Sequence, residues 1–348
     1  MPHASQQEAS AQQARAVISG RRVCMHVLGV GRTDVRVLRE ATTLRDAGYT
    51  VTVVDIERDG TRPRRESLDG IQYQHMVSPR YFRSARFKPW FLVKMVGILA
   101  RGAWTVAATP ADIYHAHDDR ALPVCYFAAM LRRKTLVFDA HELPLGQGTV
   151  TGWNTLKALI RAALRAMAPR CAGIITVSGP IAAEIHQQFG GPYPILVRNI
   201  PLYRPPDEAS DIIQRALGLP AGTRVALDQG GFQPNRSLDL LVRAARYLDA
   251  GHIIALMGSG PAQGALEALA RVEGVTDRLR ILPPAPYEDL LQWTASADLG
   301  LIAYRPGYSL NVRYCLPNKL FEYLMAGVPV ACTKLDAVAE ILRRYDVG

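Results

Sequence analysis

Short apolar runs alternate with segments of helical spacing along most of this chain, and this alternation constrains the fold more than any other feature. The first run, Val23–Leu28, leads into Gly29-Val30-Gly31, and a segment with helical spacing follows over Val35–Gly48. The strand-like runs are continuously apolar, as strands buried on both faces are. Repeated units of this kind predict α/β domains with parallel sheets that helices cover on both sides.

The same pattern predicts the elements of two successive halves. In the first half we expect further strands at Thr50–Ile56, Ile113–Ala116, Thr135–Asp139, Gly173–Val177 and Ile195–Val197. We expect helices there at Leu122–Arg132, Trp153–Met167 and Ile181–Phe189. In the second half we expect strands at Val225–Gln229, Ile253–Met257, Arg280–Leu282, Leu299–Ala303 and Val328–Cys332. We expect helices there at Leu238–Leu248, Ala262–Val272, Asn318–Ala326 and Ala337–Tyr345. The prediction is two doubly wound, Rossmann-like domains that face each other across a ligand-binding cleft.

The domain boundaries follow from length and from proline content. A chain of 348 residues can bury two cores. The proline-rich stretch Asn199–Asp211 interrupts the alternation and predicts a linker. We therefore expect a flexible tail over 1–20, a first domain over 21–200, a linker over 201–210 and a second domain over 211–348. Because the alternation stops at Gly348, we expect the second domain to be shortened.

Charge and cysteine content narrow the class of protein. The formal net charge of +10 favours anionic partners, namely nucleic acid, phosphorylated small molecules or an anionic membrane. No nucleic-acid-binding motif is evident, so nucleic acid is not an expected partner. Five separated cysteines without a CxxC pair predict a reducing, cytoplasmic environment. No apolar run reaches the roughly 18 residues of a membrane span, and the first 20 residues lack the apolar core of a secretory signal.

The first glycine turn leaves two interpretations open. Amides of Gly29 and Gly31 at a strand-to-helix turn can approach a phosphate. However, Asp34 stands where a dinucleotide-binding fingerprint has its third glycine, and Asp55 is the one acidic residue placed for a ribose contact. A dinucleotide site and a plain tight turn are therefore equally open at this point.

Histidines and carboxylates follow two successive strands. His117-Asp118 ends one strand, and Asp139–Glu142 ends the next. Because the carboxyl ends of parallel strands share one edge, these residues predict a polar recognition site there, with His117 functional and His115 structural. Nothing in the spacing fixes a coordination geometry, so we rank a metal site lower and expect none. The residues that we place at the rim of this site are Asp118, His141 and Glu142.

A second distinctive run surrounds a predicted helix between Pro317 and Gly327. Lys319 in its first turn opposes the helix dipole unless an anion lies there as well. Glu322, one turn later, can accept two hydroxyls of a ribose or a sugar. An ordinary ion pair between these two side chains is the alternative.

The turn after the strand Val225–Gln229 adds another basic residue. Gly230 and Gly231 form the turn, and Arg236 follows just before a helix. Arginine pairs with phosphate oxygens in a two-pronged geometry. Arg236 and Lys319 are therefore expected to clamp a pyrophosphate from two sides.

From about Val23 onward the sequence resembles retaining GT-B glycosyltransferases of family four. The resemblance rests on the following runs: Asp34-Val-Arg36-Val-Leu-Arg-Glu-Ala, Gly48-Tyr-Thr-Val-Thr-Val, His115-Ala-His117-Asp118, Phe138-Asp-Ala-His141-Glu142-Leu, Thr176-Val-Ser178, Val197-Arg-Asn199, Gly258-Ser-Gly260-Pro261 and Pro317-Asn-Lys319-Leu-Phe-Glu322-Tyr-Leu-Met-Ala-Gly327-Val-Pro329-Val. It implies that the first domain takes an acceptor and the second a nucleotide sugar, without a cofactor or a chelated metal.

The resemblance also implies residue roles. Glu322 would hold the ribose, and Asn318 with the loop that contains Gly258 and Gly260 would complete the phosphate site. His117 would orient the donor sugar or help the acceptor hydroxyl to lose its proton. The sequence departs from the family at Tyr314, which replaces the first of two paired glutamates, and at Gly231, which replaces an arginine. Arg236 takes the position of the family's loop lysine.

The implied function is retaining transfer of a hexosyl group from a nucleoside diphosphate sugar to a glycan or lipid-linked acceptor, in cytoplasmic polysaccharide biosynthesis. The alternative is a non-catalytic GT-B binding or scaffold protein that has lost activity through the departures at Tyr314 and Gly231 and a shortened second domain. Binding of a nucleotide sugar separates the two.

Two acid-free stretches suggest a further partner. Gly70–Ala111 carries basic residues with apolar ones between them, as does Leu143–Ala183. Such segments either pack on the core with a solvated basic face or lie on an anionic membrane as a peripheral contact at its inner face. The basic residues of the first stretch are Arg80, Arg83, Arg86, Lys88, Lys94 and Arg101.

Overall fold

The computed structural model describes residues 20–57, 60–78, 88–146, 154–201, 203, 211–286 and 288–348. The chain divides into two compact units: the first runs up to Thr176 and includes Ala182–Val197, and the second comprises Val177–Ile181 and Arg198–Gly348. The predicted tail and linker lie outside the described residues except for Gly20, Pro201 and Tyr203. Arg80, Arg83, Arg86 and Trp153 also lie outside them.

The first unit is built on an eight-stranded sheet with the strand order β3-β4-β2-β1-β5-β6-β7-β8. Its strands are β1 (Arg22–Val27), β2 (Thr50–Glu57), β3 (Arg65–Leu68), β4 (Ile71–Val77), β5 (Ile113–His117), β6 (Thr135–Ala140), β7 (Gly173–Thr176) and β8 (Ile195–Leu196). Its helices are α1 (Val35–Asp46), α2 (Lys88–Ala108), α3 (Asp118–Arg132), α4 (Asn154–Met167) and α5 (Gly179–Phe189). Only the first residues of α5, up to Ile181, group with the second unit.

The second unit is built on a five-stranded sheet with the order β11-β10-β9-β12-β13, and all its described pairs run parallel. Its strands are β9 (Arg224–Gln229), β10 (His252–Met257), β11 (Leu279–Leu282), β12 (Leu299–Ile302) and β13 (Val330–Cys332). Its helices are α6 (Ile212–Ala216), α7 (Leu238–Ala244), α8 (Gln263–Val272), α9 (Leu290–Ala295), α10 (Leu310–Tyr314), α11 (Asn318–Met325) and α12 (Asp336–Tyr345). The predicted α/β class with two Rossmann-like sheets is confirmed.

Apolar strands between two helical layers form the core of each unit. In the first unit the fully buried side chains include Met25, Tyr114 and Phe138, from three adjacent strands. In the second unit Tyr323 is fully buried. Its ring lies against Gly300, where a Cβ atom would come within 2.5 Å of the ring carbons. Glycine at this position therefore lets α11 pack directly on β12, which fixes the helix that carries the candidate site.

The sequence-based prediction missed a hairpin at one edge of the first sheet. β3 pairs antiparallel with β4, with Leu68 opposite Ile71. The two loop residues, Asp69 and Gly70, both have positive φ angles, of 49° and 75°. Two-residue turns of this type favour an Asp-Gly sequence, so the signal was present in the chain.

Helix α3 begins at Asp118, four residues before the predicted start at Leu122. The prediction placed Pro123 in the first turn, where its missing amide costs nothing. The structure instead has Asp118 and Asp119 in the first turn, where carboxylates favour the helix dipole. As a result, the predicted rim residue Asp118 belongs to the start of a helix.

Candidate active site

In the first unit, His117 and Asp139 lie side by side at the carboxyl ends of adjacent strands. The register of β5 and β6 pairs these two residues directly. His117 Nδ1 is 3.3 Å from Asp139 Oδ2 and 3.1 Å from His141 Nε2. The two predicted runs of histidines and carboxylates therefore do come together at one edge of the sheet.

Arg36, from the first turn of α1, anchors this cluster. Asp34 caps that helix by accepting hydrogen bonds from the amides of Arg36 and Val37, which explains why an aspartate stands at that place. The Arg36 guanidinium donates two hydrogen bonds of 2.6 Å to Asp139 and lies 3.1 Å from Glu40 Oε1. Arg36 and Glu40 are site residues that the sequence reasoning did not single out, although both lie in the run that carried the family resemblance.

Burial separates His117 from the rim. Its side chain is fully buried, and its ring stacks on His115 with the ring centroids 4.5 Å apart. Burial lowers the pKa of His117 and lowers that of His115 to about 3, so burial favours neutral rings. In this arrangement His117 supports its neighbours, and its predicted contact with a sugar stays a prediction.

His141 and Asp118 are the more accessible members of the cluster. Their side chains are 16% and 36% exposed, with His141 Nδ1 3.6 Å from Asp118 Oδ2. Burial alone would lower the pKa of His141, but the hydrogen bond that its ring donates to Asp139 and the charge of Asp118 raise it to about 9. Burial raises the pKa of Asp118 to about 6. The third predicted rim residue, Glu142, is exposed.

Four side chains of the cluster, Glu40, His115, His117 and Asp139, each offer one metal-ligating atom, and these atoms lie within 4.8 Å of one another. Arg36 already binds the carboxylates of Asp139 and Glu40, so the cluster contains its own counter-cation. Asp55, Glu57 and His75 form a second such group.

The glycine turn after β1 serves the packing of the first unit. The amide of Gly31 donates to Asp55 Oδ2 over 2.8 Å, and Asp55 Oδ1 lies 2.6 Å from His75 Nδ1. A Cβ atom at Gly31 would lie 3.0 Å from Val53, so a larger residue here would press on that side chain. The Gly31 amide, a predicted phosphate contact, is thus occupied inside the protein, as is Asp55, and of the two interpretations left open this favours the tight turn. Gly29 also belongs to this turn, and its carbonyl accepts from Ile56.

In the second unit, Lys319 is buried in the first turn of α11. Its Nζ atom donates to Asp228 Oδ2 over 2.6 Å, and the two side chains are 6% and 4% exposed. Burial raises the pKa of Asp228 and lowers that of Lys319, while the attraction between the two charges opposes both shifts. The anion that the sequence reasoning expected beside Lys319 is therefore present in the protein itself.

Arg236 and Lys319 share an aromatic neighbour. The Arg236 guanidinium carbon lies 4.5 Å from the ring centroid of Tyr304, and Lys319 Nζ lies 5.1 Å from the same centroid. Tyr304 is 3% exposed and follows the end of β12. The two predicted cations thus converge, although Arg236 precedes α7 and Lys319 belongs to α11.

Glu322 lies one turn after Lys319 and binds the end of β9. Gln229 Nε2 donates to Glu322 Oε2 over 2.6 Å. The hydroxyl of Tyr323, the next residue, donates to the Leu227 carbonyl and accepts from the Gln229 amide, over 2.8 Å and 3.2 Å. The residues that the sequence reasoning missed here, Asp228 and Gln229, are polar residues at the carboxyl end of an apolar strand, and that position was the available signal.

The two glycine-containing loops beside Arg236 pack on each other. A Cβ atom at Gly258 would lie 1.9 Å from the Gly230 carbonyl oxygen, and one at Gly260 would lie 2.6 Å from the Phe232 carbonyl oxygen. The amides of Gly230 and Gly258 donate to the carbonyls of Met257 and Leu282, so they are not directed at a phosphate as predicted. Phosphate contacts of Gly231 and Gly260 stay predictions.

Asn318 precedes Lys319 at the start of α11, and its Oδ1 atom accepts from Asn199 Nδ2 over 2.9 Å. The side-chain amide that was expected to bind phosphate is therefore paired with Asn199, and the phosphate role of Asn318 stays a prediction.

Two family models match successive parts of the chain. Residues 33–197 match "Glycosyltransferase Family 4", and residues 224–348 match "Glycosyl transferases group 1". The chain belongs to glycosyltransferase family 4. The first match contains the cluster around Asp139, and the second contains Arg236, Lys319 and Glu322.

Curated relatives in this glycosyltransferase family include D-inositol 3-phosphate glycosyltransferases. The protein of Thermobispora bispora is 34% identical over 157 residues, which is 42% of this chain and 35% of that relative. The match thus spans about a third of the relative's length. A protein of the same name from Catenulispora acidiphila is 26% identical over 306 residues, covering 79% of this chain and 69% of the relative.

Solved structures share the fold of this family member. Sucrose-phosphate synthase from Thermosynechococcus elongatus aligns with a TM-score of 0.69 at 16% identity, over 90% of this chain and 81% of that one. Anabaena HepE in complex with UDP and glucose aligns with a TM-score of 0.67 at 16% identity, over 92% and 83% of the two chains. At this level of identity the likeness confirms the GT-B fold class alone.

Proposed function

We propose that this chain transfers a hexosyl group from a nucleoside diphosphate sugar to a glycan or lipid-linked acceptor, with retention of the anomeric configuration. The observation that carries the proposal is the convergence of Arg236, Lys319 and Glu322 in the second unit. The family and the UDP-bound neighbour HepE support a nucleotide-sugar donor.

Arg236 supplies the charge that this reaction requires. When the bond between the anomeric carbon and the diphosphate oxygen breaks, its electron pair goes to the diphosphate, which gains negative charge. A guanidinium positioned at that oxygen stabilises the charge as it develops. The acceptor oxygen forms the new bond to the same face of the sugar, and its proton passes to the departing diphosphate. Lys319 shares its charge with Asp228, so Arg236 is the main cation for the leaving group.

The first unit supplies the polar edge for an acceptor. With its pKa raised to about 9, His141 is protonated at neutral pH and can donate to an acceptor oxygen. Asp118, with a pKa of about 6, is mostly ionised and can accept from a hydroxyl. A hydroxyl-rich acceptor fits this pair, and the curated relatives are named for a phosphorylated polyol.

An assay with a panel of nucleotide sugars tests the proposal. UDP-, GDP- and ADP-linked hexoses are incubated with the protein, with and without glycan and lipid-linked acceptors, and release of the nucleoside diphosphate is measured. We expect slow hydrolysis of one donor and faster release with an acceptor, and nuclear magnetic resonance of the product will show the donor's anomeric configuration. An inverted product contradicts retention. Neither binding nor release of any nucleotide favours the scaffold alternative.

The surface of helix α2 supports a membrane-bound acceptor. Trp90, Val93 and Trp104 lie on one helical face, and all three are exposed, Trp104 by 79%. Arg101, which is also exposed, and the partly exposed Lys94 lie on the same face, so apolar and basic side chains share this surface. No helix in the described part of the chain is long and apolar enough to span a bilayer. Exposed apolar side chains on a helix that does not span the bilayer, as on α2, favour contact with the bilayer surface.

The neighbouring helix α3 extends this apolar surface. α3 packs against α2, where Arg132 Nε donates to the Ala107 carbonyl over 3.0 Å, and it exposes Phe127 and Leu131. Arg133 and Lys134 follow directly and are exposed as well. Apolar side chains beside basic ones complement an anionic bilayer, so we place the protein in the cytoplasm, in peripheral contact with the membrane's inner face.

Vesicle binding tests this contact. We expect sedimentation with phosphatidylglycerol vesicles, weaker binding to phosphatidylcholine vesicles and release by salt. Val93→Ser is expected to weaken binding, because it removes an exposed apolar side chain from α2. Val272→Ser is the matched control, since Val272 is an equally apolar, 82% exposed residue of the second unit. Failure to bind anionic vesicles at low salt, or equal effects of the two variants, contradicts the proposed surface.

A further inference from the structure

Glu322 lies at the end of a chain of hydrogen-bonded side chains that begins in α9. Thr294 Oγ1 lies 2.9 Å from Gln229 Oε1, and Gln229 Nε2 donates to Glu322 Oε2 over 2.6 Å. Gln229 is 3% exposed and Thr294 is fully buried. Burial of Gln229 and Thr294 shields their contact from water, and the short distance from Gln229 to the carboxylate marks a strong, charge-assisted hydrogen bond.

The side-chain amide of Gln229 has one orientation that suits both Glu322 and Thr294. Its NH₂ group must face Glu322, because a carbonyl oxygen directed at a carboxylate would be repelled. Its oxygen then faces the Thr294 hydroxyl, which can donate to it. That hydroxyl also lies 2.7 Å from the Leu290 carbonyl, so its one proton serves two acceptors. Gln229 is therefore fixed mainly by its bond to Glu322 and less by Thr294.

The backbone around this chain is fixed as well. The Tyr323 hydroxyl donates to the Leu227 carbonyl and accepts from the backbone amide of Gln229, which ties the end of β9 to α11. With both backbones held, the hydrogen bond from the Gln229 side chain restrains the orientation of the Glu322 carboxylate. A carboxylate that accepts two adjacent hydroxyls needs a defined plane, because each hydrogen bond weakens steeply when its angle is wrong.

We infer that Gln229 is a positioning residue that orients the Glu322 carboxylate toward the ribose hydroxyls of the donor nucleotide. The inference rests on the proposed function and goes beyond it, since it assigns recognition of ribose to a residue that touches no ligand. Its consequence is specific: without Gln229 the protein distinguishes poorly between ribonucleotides and deoxyribonucleotides. A merely structural role for Gln229 would weaken both kinds of nucleotide equally.

Calorimetric binding of nucleoside diphosphates and their 2′- and 3′-deoxy forms tests this. The probe is whichever of UDP, GDP and ADP the unaltered protein binds most tightly. We expect the unaltered protein to prefer the ribonucleotide by about 10-fold or more, since each lost hydrogen bond to a charged group weakens binding by about that factor. In Gln229→Met, which keeps the length of the side chain, the preference is expected to fall below about 3-fold. Gln229→Glu retains polarity and size, and it should lose the preference as well because it repels Glu322.

Gln188→Met is the matched control, because Gln188 donates to Glu184 over 2.8 Å on helix α5, far from this chain of contacts in sequence. It is expected to keep the full preference. Thr294→Val should lower the preference only slightly. A preference retained in both Gln229 variants overturns the inference alone. Absence of binding to all three nucleoside diphosphates by the unaltered protein contradicts the proposed function itself.

Discussion

The two units each bury an aspartate near the carboxyl end of a strand and pair it with a cation from the first turn of a helix. In the first unit Asp139, the next-to-last residue of β6, binds Arg36, the second residue of α1. In the second unit Asp228, the next-to-last residue of β9, binds Lys319, the second residue of α11. The same local plan therefore occurs twice in the chain.

The two pairs differ in the side chains that donate hydrogen bonds to the buried carboxylate. Burial alone would raise the pKa of Asp139, but hydrogen bonds from His117, His141 and Arg36 hold it well below its usual range. Asp228 has one charged hydrogen-bond donor, Lys319, and burial raises its pKa. A buried carboxylate needs several donors to stay strongly ionised. The first pair is therefore a fixed framework, whereas in the second pair burial lowers the pKa of Lys319 and raises that of Asp228.

Removing the carboxylate of the first pair gives the largest expected effect. Asp139→Asn removes the carboxylate that accepts two hydrogen bonds from buried Arg36 and leaves only Glu40 beside the guanidinium, so the free energy of unfolding should fall by about 4 kcal/mol. Urea unfolding measures this. Asp112→Asn is the control, because Asp112 pairs with Lys134 over 2.9 Å at a partly exposed site and should cost no more than about 1 kcal/mol. Equal losses in the two variants contradict the framework role of Asp139.

In the second pair, removing one partner should lower the free energy of unfolding more than removing both. Lys319→Met leaves Asp228 buried and unpaired, and we expect a loss of about 3 kcal/mol in unfolding free energy. Replacing both residues, with Asp228→Asn added, should recover most of that loss, because no uncompensated charge remains. Additive losses in a double-mutant cycle would show that the two side chains do not interact.

The pH dependence of stability should show the contribution of His141. Its pKa is raised from 6.5 to about 9 in the folded protein, so protonation favours folding. The contribution is fully present below pH 6.5 and is lost as the pH rises through about 9. The difference in unfolding free energy between the unaltered protein and His141→Gln should thus be on the order of 2 kcal/mol at pH 6 and shrink at higher pH. A difference that stays constant between pH 6 and about pH 10 contradicts this account.

The sequence predicted the fold well because strands and helices of this class have strong local signals. The bounds of α1 and β2 differ from the prediction by two residues or fewer, since apolar runs end at glycines or caps. The hairpin of β3 and β4 was missed because β3 is only four residues long and mostly polar, so it carries no apolar run. α10 was missed because five residues carry too little periodicity to identify a helix.

The candidate site was predicted in part. Motif residues such as Arg236, Lys319 and Glu322 were identified from type and spacing, and the structure brings them together. Their protein partners were not predicted, because Asp228 is distant from Lys319 in sequence and the pairing depends on how α11 packs. Burial of His117 was missed for the same reason, since it depends on Asp139 and His141, which the neighbouring strand β6 and the residue after it supply.

The most direct test of the central claim measures nucleoside diphosphate binding by calorimetry in the unaltered protein, in Arg236→Ala and in Arg243→Ala. Arg243 pairs with Glu273 over 2.6 Å on the exposed side of α7 and serves as the control. The account predicts that one of UDP, GDP and ADP binds, that Arg236→Ala weakens this binding by about 10- to 100-fold, and that Arg243→Ala does not. Equal affinities in all three proteins would contradict it.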